Sequence, residues 1–260
     1  MKRIYRDIKK YWNYLIFSAK ADLKTEVSNS YLNWLWWVIE PLCFMFIYAF
    51  IFGFIFNASE QYFAIFIFIG ISMWNFFNKT ITYSIKSVKT NKAIVTKVYI
   101  PKYILIIKKM LVNAFKMMIS FVIVFIMMIF YNVPLTWGIL WFPVIILALF
   151  IFTFAVAVHL LHFGVFIEDL ENVMRIVLRL IFYMSGIFYN LETRLPAEYS
   201  KILFNGNPMA VFLNSMRKAL IYQQQTDWQL MIIITFISIL LGIWGIKRIY
   251  KYENGYAKVI

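Results

Sequence analysis

LWWVIEPLCFMFIYAFIFGFIF, residues 35–56, carries a single charged residue, Glu40, and no basic residue at all. As a helix rising about 1.5 Å per residue it is long enough to cross the roughly 30 Å hydrocarbon core of a bilayer. Five further runs have the same character, at 62–83, 110–131, 137–163, 173–190 and 229–246. The fold class they predict is an all-α integral membrane protein with six transmembrane helices. The fifth run is the shortest in its apolar part, from Leu180 to Leu191, and is preceded by Arg175 and Arg179, whose stems can snorkel toward the headgroups.

Composition agrees. With 63% hydrophobic residues, 20% aromatics and 15% charges, the chain has more apolar surface than one soluble core hides. The formal charge of +14 does not point to nucleic acid, because the basic residues sit between apolar runs instead of on one folded surface. They instead set orientation. Residues 1–34 hold seven Lys and Arg, the 79–109 connection eight and the chain from 247 onward four, whereas loops 57–61 and 132–136 hold none, so both termini are expected in the cytoplasm. The single cysteine, Cys43, lies inside the first run and reads as a packing residue. No cleavable signal is expected, since the first apolar run follows more than 30 residues of mixed sequence.

Two segments outside the spans have patterns of their own. Ile4, Tyr5, Ile8, Tyr11, Trp12, Leu15, Ile16 and Ala19 recur at helical spacing while Arg3, Arg6, Asp7, Lys9 and Lys10 fall mostly opposite, which predicts an N-terminal amphipathic interfacial helix. Its alternative is a soluble helix packed on a partner. Residues 191–228, with Pro196, Pro208 and patches such as 202–204 and 210–213, read as a membrane-dipping or interfacial hairpin between helices 5 and 6. The expected organisation is therefore an interfacial helix and connector at 1–30, a transmembrane domain at 31–250 and a cytoplasmic tail at 251–260.

The chemistry is sparse. There is no G-x-x-x-x-G-K-[ST] loop for nucleotide phosphates, no G-x-S-x-G elbow and no H-E-x-x-H zinc site, so no ATPase or hydrolase of the chain's own is expected. His159 and His162 stand one helical turn apart, with Glu168 and Asp169 shortly beyond. Two such ligands do not make a metal site, and packing or interfacial histidines are the simpler reading. Glu168, Asp169 and Glu171 read as the acidic start of a helix, placed near the positive end of its dipole. A membrane-embedded lipid-modifying transferase built on these two groups stays open as an alternative.

At the first run the sequence also resembles a known family. DLKTEVSNSYLNWLWWVIEPL (22–42) is similar to the entrance of the first span in type-two ABC exporter permeases, especially those exporting O-antigen, capsule or teichoic-acid polysaccharides. IFIGISMWNFFNKTI (67–81) resembles their second span with its Gly-x-x-x-Trp-Asn-Phe core, VKTNKAIVTKVYIPK (88–102) their cytoplasmic segment, and NPMAVFLNSMRKAL (207–220) the Asn-Pro-Met before the last span. Departures are Asn33 for a usual Gly, Glu40 before the proline, Ile100 for Phe, and Glu168-Asp169 for Arg-Asp.

The resemblance implies a transport subunit of the bacterial cytoplasmic membrane. Two copies would form the channel, and two cytoplasmic ATP-binding subunits would carry ATP and magnesium, with no cofactor on this chain. The cargo would be a lipid-linked polysaccharide; a drug- or lipid-exporting ABC permease is the alternative. Residues 84–101 are expected as a helix, with Ile85, Val88, Val95 and Val98 among Lys86, Lys89, Lys92 and Lys97, and the resemblance makes Lys86, Lys89, Lys92, Val95, Lys97, Val98 and Pro101 the docking candidates. A purely topogenic basic loop is the other reading of these lysines.

Spacing of three or four residues draws Trp34, Trp37, Pro41, Phe44, Tyr48 and Phe52 into one aromatic stripe. As interfacial anchors Trp34, Trp36 and Trp37 need no further role, but below the interface flat rings with polar handles suit the CH-rich faces of sugars. The resemblance implies that the first and fifth spans line the channel, which adds Tyr183, Phe188 and Tyr189 to Trp34, Trp37, Phe44, Tyr48 and Phe52 as the substrate path, with Gly186 as a kink site. Glu40 is expected to face protein, water or the path, or to pair with a basic residue of a neighbouring helix. Arg217 and Lys218 are candidate outlet or headgroup contacts.

Overall fold

Helix ends in this chain fall where prolines, left-handed residues and capping asparagines place them in the computed structural model, which describes residues 2–28, 30–55, 60–134 and 136–259. Residues 56–59, ending the first apolar run and opening its loop, and Leu135 of the loop 132–136 lie outside the described residues. Helix α1 spans Lys2–Val27. A 3-10 turn at Asn33–Leu35 leads into α2, Trp36–Tyr48, which continues as a π-helical stretch over Ala49–Ile55. Next come α3 (Phe63–Thr90), the single turn α4 (Lys92–Val95) and α5 (Lys102–Phe130). A 3-10 turn at Trp137–Leu140 opens α6 (Trp141–Phe166), and α7 follows at Leu170–Met184. Three short helices, α8 (Leu191–Arg194), α9 (Ala197–Gly206) and α10 (Pro208–Arg217), and a π-turn at Lys218–Tyr222 precede α11 (Trp228–Val259).

Five stretches among the described residues are helical, long and apolar enough to cross a membrane: Asn33–Ile55, Phe63–Thr90, Lys102–Phe130, Trp137–Phe166 and Trp228–Glu253. The chain is a multi-pass membrane protein. The expected fifth span, 173–190, is not one helix. At 15 residues α7 rises only about 22 Å, short of the roughly 30 Å hydrocarbon core. It stops because Gly186 takes φ +67°, a left-handed conformation that glycine adopts at no cost, and the chain then folds Ile187 and Phe188 into the core.

The expected helix 84–101 is also divided. Residues 84–90 are the end of α3, which runs seven residues past the predicted span, and Asn91 breaks the helix before α4. Pro101 then caps α5, which begins at Lys102 and not near 110, because proline starts a helix without wasting a backbone donor. The expected tail from 251 is the continuation of α11 through Val259.

The core is organised around α3, which packs against α2, α5, α6, α7 and α10, while α6 packs along α11. In the apolar window of α3, 78% of residues are buried, against 6% in that of the first run, so α2 leans on the bundle without being enclosed by it.

Polar contacts sort the elements into two ends. At one end the Asp7 carboxylate of α1 accepts from the hydroxyls of Tyr250 (2.5 Å) and Tyr103 (3.2 Å), joining α1 to α11 and α5. Further along α1, Asp22 pairs with Lys108 at 2.9 Å, and Glu26 pairs with Lys116 and Lys109 of α5. The start of α7 meets the end of α3 there through Glu171 and Lys86. At the opposite end Tyr222 donates to Glu60 (2.9 Å) just before α3, and Gln223 donates to the Pro134 carbonyl (3.2 Å) between α5 and α6.

The segment expected as a membrane-dipping or interfacial hairpin has a fully interior limb. Every residue of α10 from Met209 to Arg217 is buried, against α3, α6 and α11. Its start is fixed by Asn207, whose side-chain oxygen accepts from the Met209 N–H (3.1 Å) while its amide donates to Ser185 Oγ (2.9 Å), with Pro208 in the first helical position.

Candidate functional site: a groove that grades from charged to aromatic

A cavity of about 340 Å³ opens between α2, α3 and α7. Its walls change along the axis. Near the end that holds α1 they are polar, with Asn78 and Thr82 of α3 facing Glu171 and Arg175 of α7; further in come Glu40, Asn75 and Arg179; deepest are Phe44, Tyr48, Trp74 and Phe182. Glu40 forms an ion pair with Lys79 of α3 at 3.6 Å, the pairing with a neighbouring helix anticipated for it. Glu171 holds Lys86 and also reaches Arg175 at 3.8 Å. The Lys86 ammonium, donating to it, holds the Glu171 carboxyl below its usual range, with Arg175 adding in the same direction.

Beyond the cavity the aromatic side chains predicted from two separate runs converge. Tyr48 stacks on Phe44 at 6.2 Å between ring centroids and meets Phe188 at 4.8 Å, and Phe52 lies nearly parallel to Phe188 at 4.4 Å. Phe182 and Tyr183 reach the same ring at 5.3 and 6.5 Å. The Tyr189 hydroxyl donates to the Tyr183 carbonyl (2.9 Å), fixing the turn that carries Phe188. Phe188 itself is buried, so it backs this surface, while Tyr183 and Phe44 remain exposed.

The upper part of the predicted stripe goes elsewhere. Trp37 packs edge-on against Phe115 of α5 (5.8 Å, 87°), and with Pro41 it lines a separate small cavity of about 50 Å³. Trp34 is exposed at the start of the helix. Sequence spacing placed all six on one face of the first run, but that face meets α5 near its beginning and the 186–190 turn further on.

Three features escaped the sequence reading. Asn75, Asn78 and Thr82 form a polar stripe at three- and four-residue spacing on an otherwise apolar helix, a signal present in the sequence. Arg175 and Arg179, treated there as snorkelling residues, line the cavity. Arg217 is no headgroup contact. It is buried 3% exposed, its guanidinium lies 3.4 Å from the centroid of the Phe66 ring, and it donates to the carbonyls of Gly186 (2.7 Å), Ile187 (3.0 Å) and Phe66 (3.1 Å). Lys218 is likewise turned inward, bonding Glu192 at 2.7 Å and Asp227 at 3.1 Å.

Of the docking candidates, Lys86 pairs with Glu171 and Lys89 with Glu168 (3.9 Å). Val95 and Pro101 are buried; Lys92, Lys97 and Val98 are exposed, beside the exposed Ile94 and Tyr99. This connection is tied down from both sides. The Tyr99 hydroxyl accepts from Arg3 (3.0 Å) and donates to Glu253 (2.9 Å), and the Tyr99 carbonyl accepts from Tyr11 (2.8 Å). Burial and the bond to Glu253 raise the Tyr99 phenol above its ordinary range.

The histidines do not join the acids. His162 Nδ1 is 2.6 Å from the Tyr256 hydroxyl and His159 Nε2 is 3.1 Å from the Leu241 carbonyl, both on α11, whereas Glu168 and Glu171 face the lysines of α3. Among the described residues no three His, Cys, Asp or Glu side chains are grouped to hold a metal ion. The two groups on which a transferase would rest are thus directed to different helices.

A multi-pass helical bundle with a groove that runs from charged to aromatic fits the membrane domain of a transport protein. The chain belongs to the ABC-2 type transporter family, which it matches over residues 15–221. It is similar to the O-antigen export system permease protein RfbA of Myxococcus xanthus, 23% identical over 251 residues that cover 96% of each chain. Two proteins of the same name from Klebsiella pneumoniae are 26% and 24% identical over 250 and 247 residues, covering 95% of this chain and 94% of each of theirs.

Proposed function

We propose that the chain is the channel-forming permease of an ATP-driven exporter that moves a lipid-linked polysaccharide of the O-antigen class outward across the bacterial cytoplasmic membrane. The observation that carries this reading is the convergence of Phe44, Tyr48, Phe52, Tyr183 and Phe188 beyond a polar mouth. Ring faces offer weak, sequence-tolerant contacts to successive sugars, which lets a chain slide. The polar mouth, with Arg175, Arg179 and Asn78, suits hydroxyl-rich or anionic parts of the cargo as they arrive. The export function in the names of the relatives, matched along nearly the whole chain, supports the same substrate class.

In this reading both termini face the cytoplasm. Supporting it, α1, the 92–102 connection and the last turns of α11 meet at one end, which also holds most of the basic residues. Two termini on one side need an even number of crossings. The sixth is α7 completed by the 186–190 turn, with α9 and α10 as a hairpin that dips in from the outer face. The exposed faces of α2 and α7 would meet a second copy and close the aromatic surfaces around a shared path. Two cytoplasmic ATP-binding subunits, holding ATP and magnesium, would dock on Lys92, Ile94, Lys97 and Val98, where the bracket of Arg3, Tyr99 and Glu253 passes their movement to α1 and α11.

The experiment is purification of the tagged chain from its host in mild detergent with its partners identified by mass spectrometry, followed by deletion of the gene and analysis of surface glycan. A P-loop ATPase in near-equal amount, and glycan retained inside the deleted cells, are expected. A chain that purifies alone across several gentle detergents refutes the docking; unchanged surface glycan refutes the substrate.

A further inference from the structure

A second groove, of about 730 Å³, lies on another side of the bundle between α1, α5, α6 and α11. Its walls are hydrocarbon, with Ile4 and Ile8 at the α1 end, Leu111 and Phe154 at the sides and Ile239 and Gly242 along α11. Away from the α1 end, where Tyr5 stands largely exposed, the polar side chains are engaged: Ser238 Oγ donates to the Ile234 carbonyl (2.7 Å), and the Tyr103 hydroxyl bonds Asp7 and Tyr250. A polar ligand finds no partner there, so the occupant is a hydrocarbon chain.

Size and direction narrow it. The volume falls within the range of about 300–1,000 Å³ that holds small-molecule ligands. From Ile246 to Ile239 the groove follows α11 for seven residues, a rise of about 10 Å, roughly two thirds of one leaflet's half of the 30 Å core. It begins where α1 lies, at the level of one membrane surface. There Lys9 stands one helical turn beyond the groove residue Tyr5, and Lys247 one turn beyond Ile243, both exposed. The acids of the same region do not oppose them: Asp7 is buried under the hydroxyls of Tyr103 and Tyr250, and Glu253 is paired with Arg3 at 3.6 Å.

We propose that this groove binds one acyl chain of an anionic glycerophospholipid from the leaflet on the side of α1, its phosphate drawn by Lys9 and Lys247. Such a lipid fastens α1 to α5, α6 and α11 from outside, away from the export groove.

The test reconstitutes the full chain in phosphatidylcholine vesicles doped with phosphatidylglycerol or phosphatidylcholine bearing a photoactivatable diazirine in one acyl chain, and maps crosslinks by peptide mass spectrometry. The expected result is label on 147–154 and 239–246 several-fold above that on Val122, Ile126 and Ile129, exposed residues of α5 that report ordinary lipid contact. Gly242→Leu fills the groove, since a Cβ there clears Phe154 at 3.7 Å while the longer side chain extends inward, and should erase the groove label but not the α5 label. Lys9→Gln with Lys247→Gln should cut the preference for phosphatidylglycerol by about five-fold per lysine, leaving acyl label from both lipids. Groove label no higher than α5 label in the wild type overturns the bound chain, whatever becomes of Gly242→Leu; a preference unchanged in the double lysine variant overturns the headgroup pairing.

Discussion

Arg217→Met should cost the fold about 4 kcal/mol, and the structure says why. The guanidinium serves three backbone carbonyls, of which that of Phe66 lies within α3, while those of Gly186 and Ile187 belong to the turn after α7 and meet no backbone N–H among the described residues. Methionine fills the space but leaves those two turn carbonyls buried and unpaired, at about 1–3 kcal/mol each. Arg217→Lys keeps a charge yet supplies a single point where a planar fork reaches three acceptors, so it should lose about half as much. Gly70 provides an internal control. A Cβ at Gly70 would lie 2.7 Å from Arg217 Nη2 and 3.3 Å from Ile187 Cγ2, so Gly70→Ala should displace the guanidinium and cost about 1–2 kcal/mol in the wild type but clearly less beside Arg217→Met, whose flexible side chain can give way. The assay is thermal unfolding of the wild type, the three single variants and the double variant in one detergent, followed by tryptophan fluorescence, with abundance in the membrane as a second readout. Additive losses, or an Arg217→Met protein that melts with the wild type, would falsify the clamp.

Tyr48→Ala removes the ring that bridges Phe44 and Phe188 and should slow export several-fold at unchanged protein level, while Tyr48→Phe stays near wild type; surface glycan per cell measures it, and wild-type export by the Ala variant means the aromatic surface is not the path. Tyr99→Phe loses the bonds to both Arg3 and Glu253 and should lower export per ATP hydrolysed while the ATPase partner still copurifies; unchanged coupling would show the bracket to be passive. Because the folded Glu171 pKa is depressed, its contact with Lys86 is present at neutral pH and disappears only as pH falls through the lowered value, below the usual carboxylate range near about 4.3. Hydrogen exchange at 168–171 should therefore stay constant from pH 9 to 6, once corrected for its intrinsic rate, and rise only in acid.

The long spans were legible because hydrocarbon demands continuous apolar runs, a pattern that needs no tertiary knowledge. Their ends on the α1 side were not, since α3 and α11 continue past the apolar window as amphipathic helices whose charges are satisfied by other elements, Lys86 by Glu171 and Glu253 by Arg3. Arg217 misled for a related reason: in one dimension an Arg-Lys pair near a loop reads as a surface contact, and only the fold reveals three carbonyls waiting for it. Tyr48 and Phe188 could be singled out separately as aromatics, but their distance of 4.8 Å depends on Gly186 turning the chain back, a tertiary fact. The polar stripe Asn75, Asn78 and Thr82 was readable and was hidden only by the high hydropathy of the helix around it.

The shortness of α7 links these observations. A longer α7 would carry Tyr183 and its neighbours straight toward the end of the bundle opposite α1. Ending it at Met184 leaves that part of the bundle to be filled by α10, and the joint between them needs a device that holds an irregular turn inside an apolar interior. Asn207 bonding Ser185 and Arg217 bonding Gly186 and Ile187 are that device, both supplied by the Asn-Pro-Met segment and its helix. Irregular backbone at membrane depth is tolerated only where protein or a cavity satisfies it. Here protein satisfies it, and the consequence is that Phe188 is presented to Tyr48 and Phe52. The clamp and the aromatic surface therefore stand or fall together: a variant that loosens Arg217 without unfolding the chain should lose export through the displacement of Phe188, although Arg217 touches neither groove nor cargo.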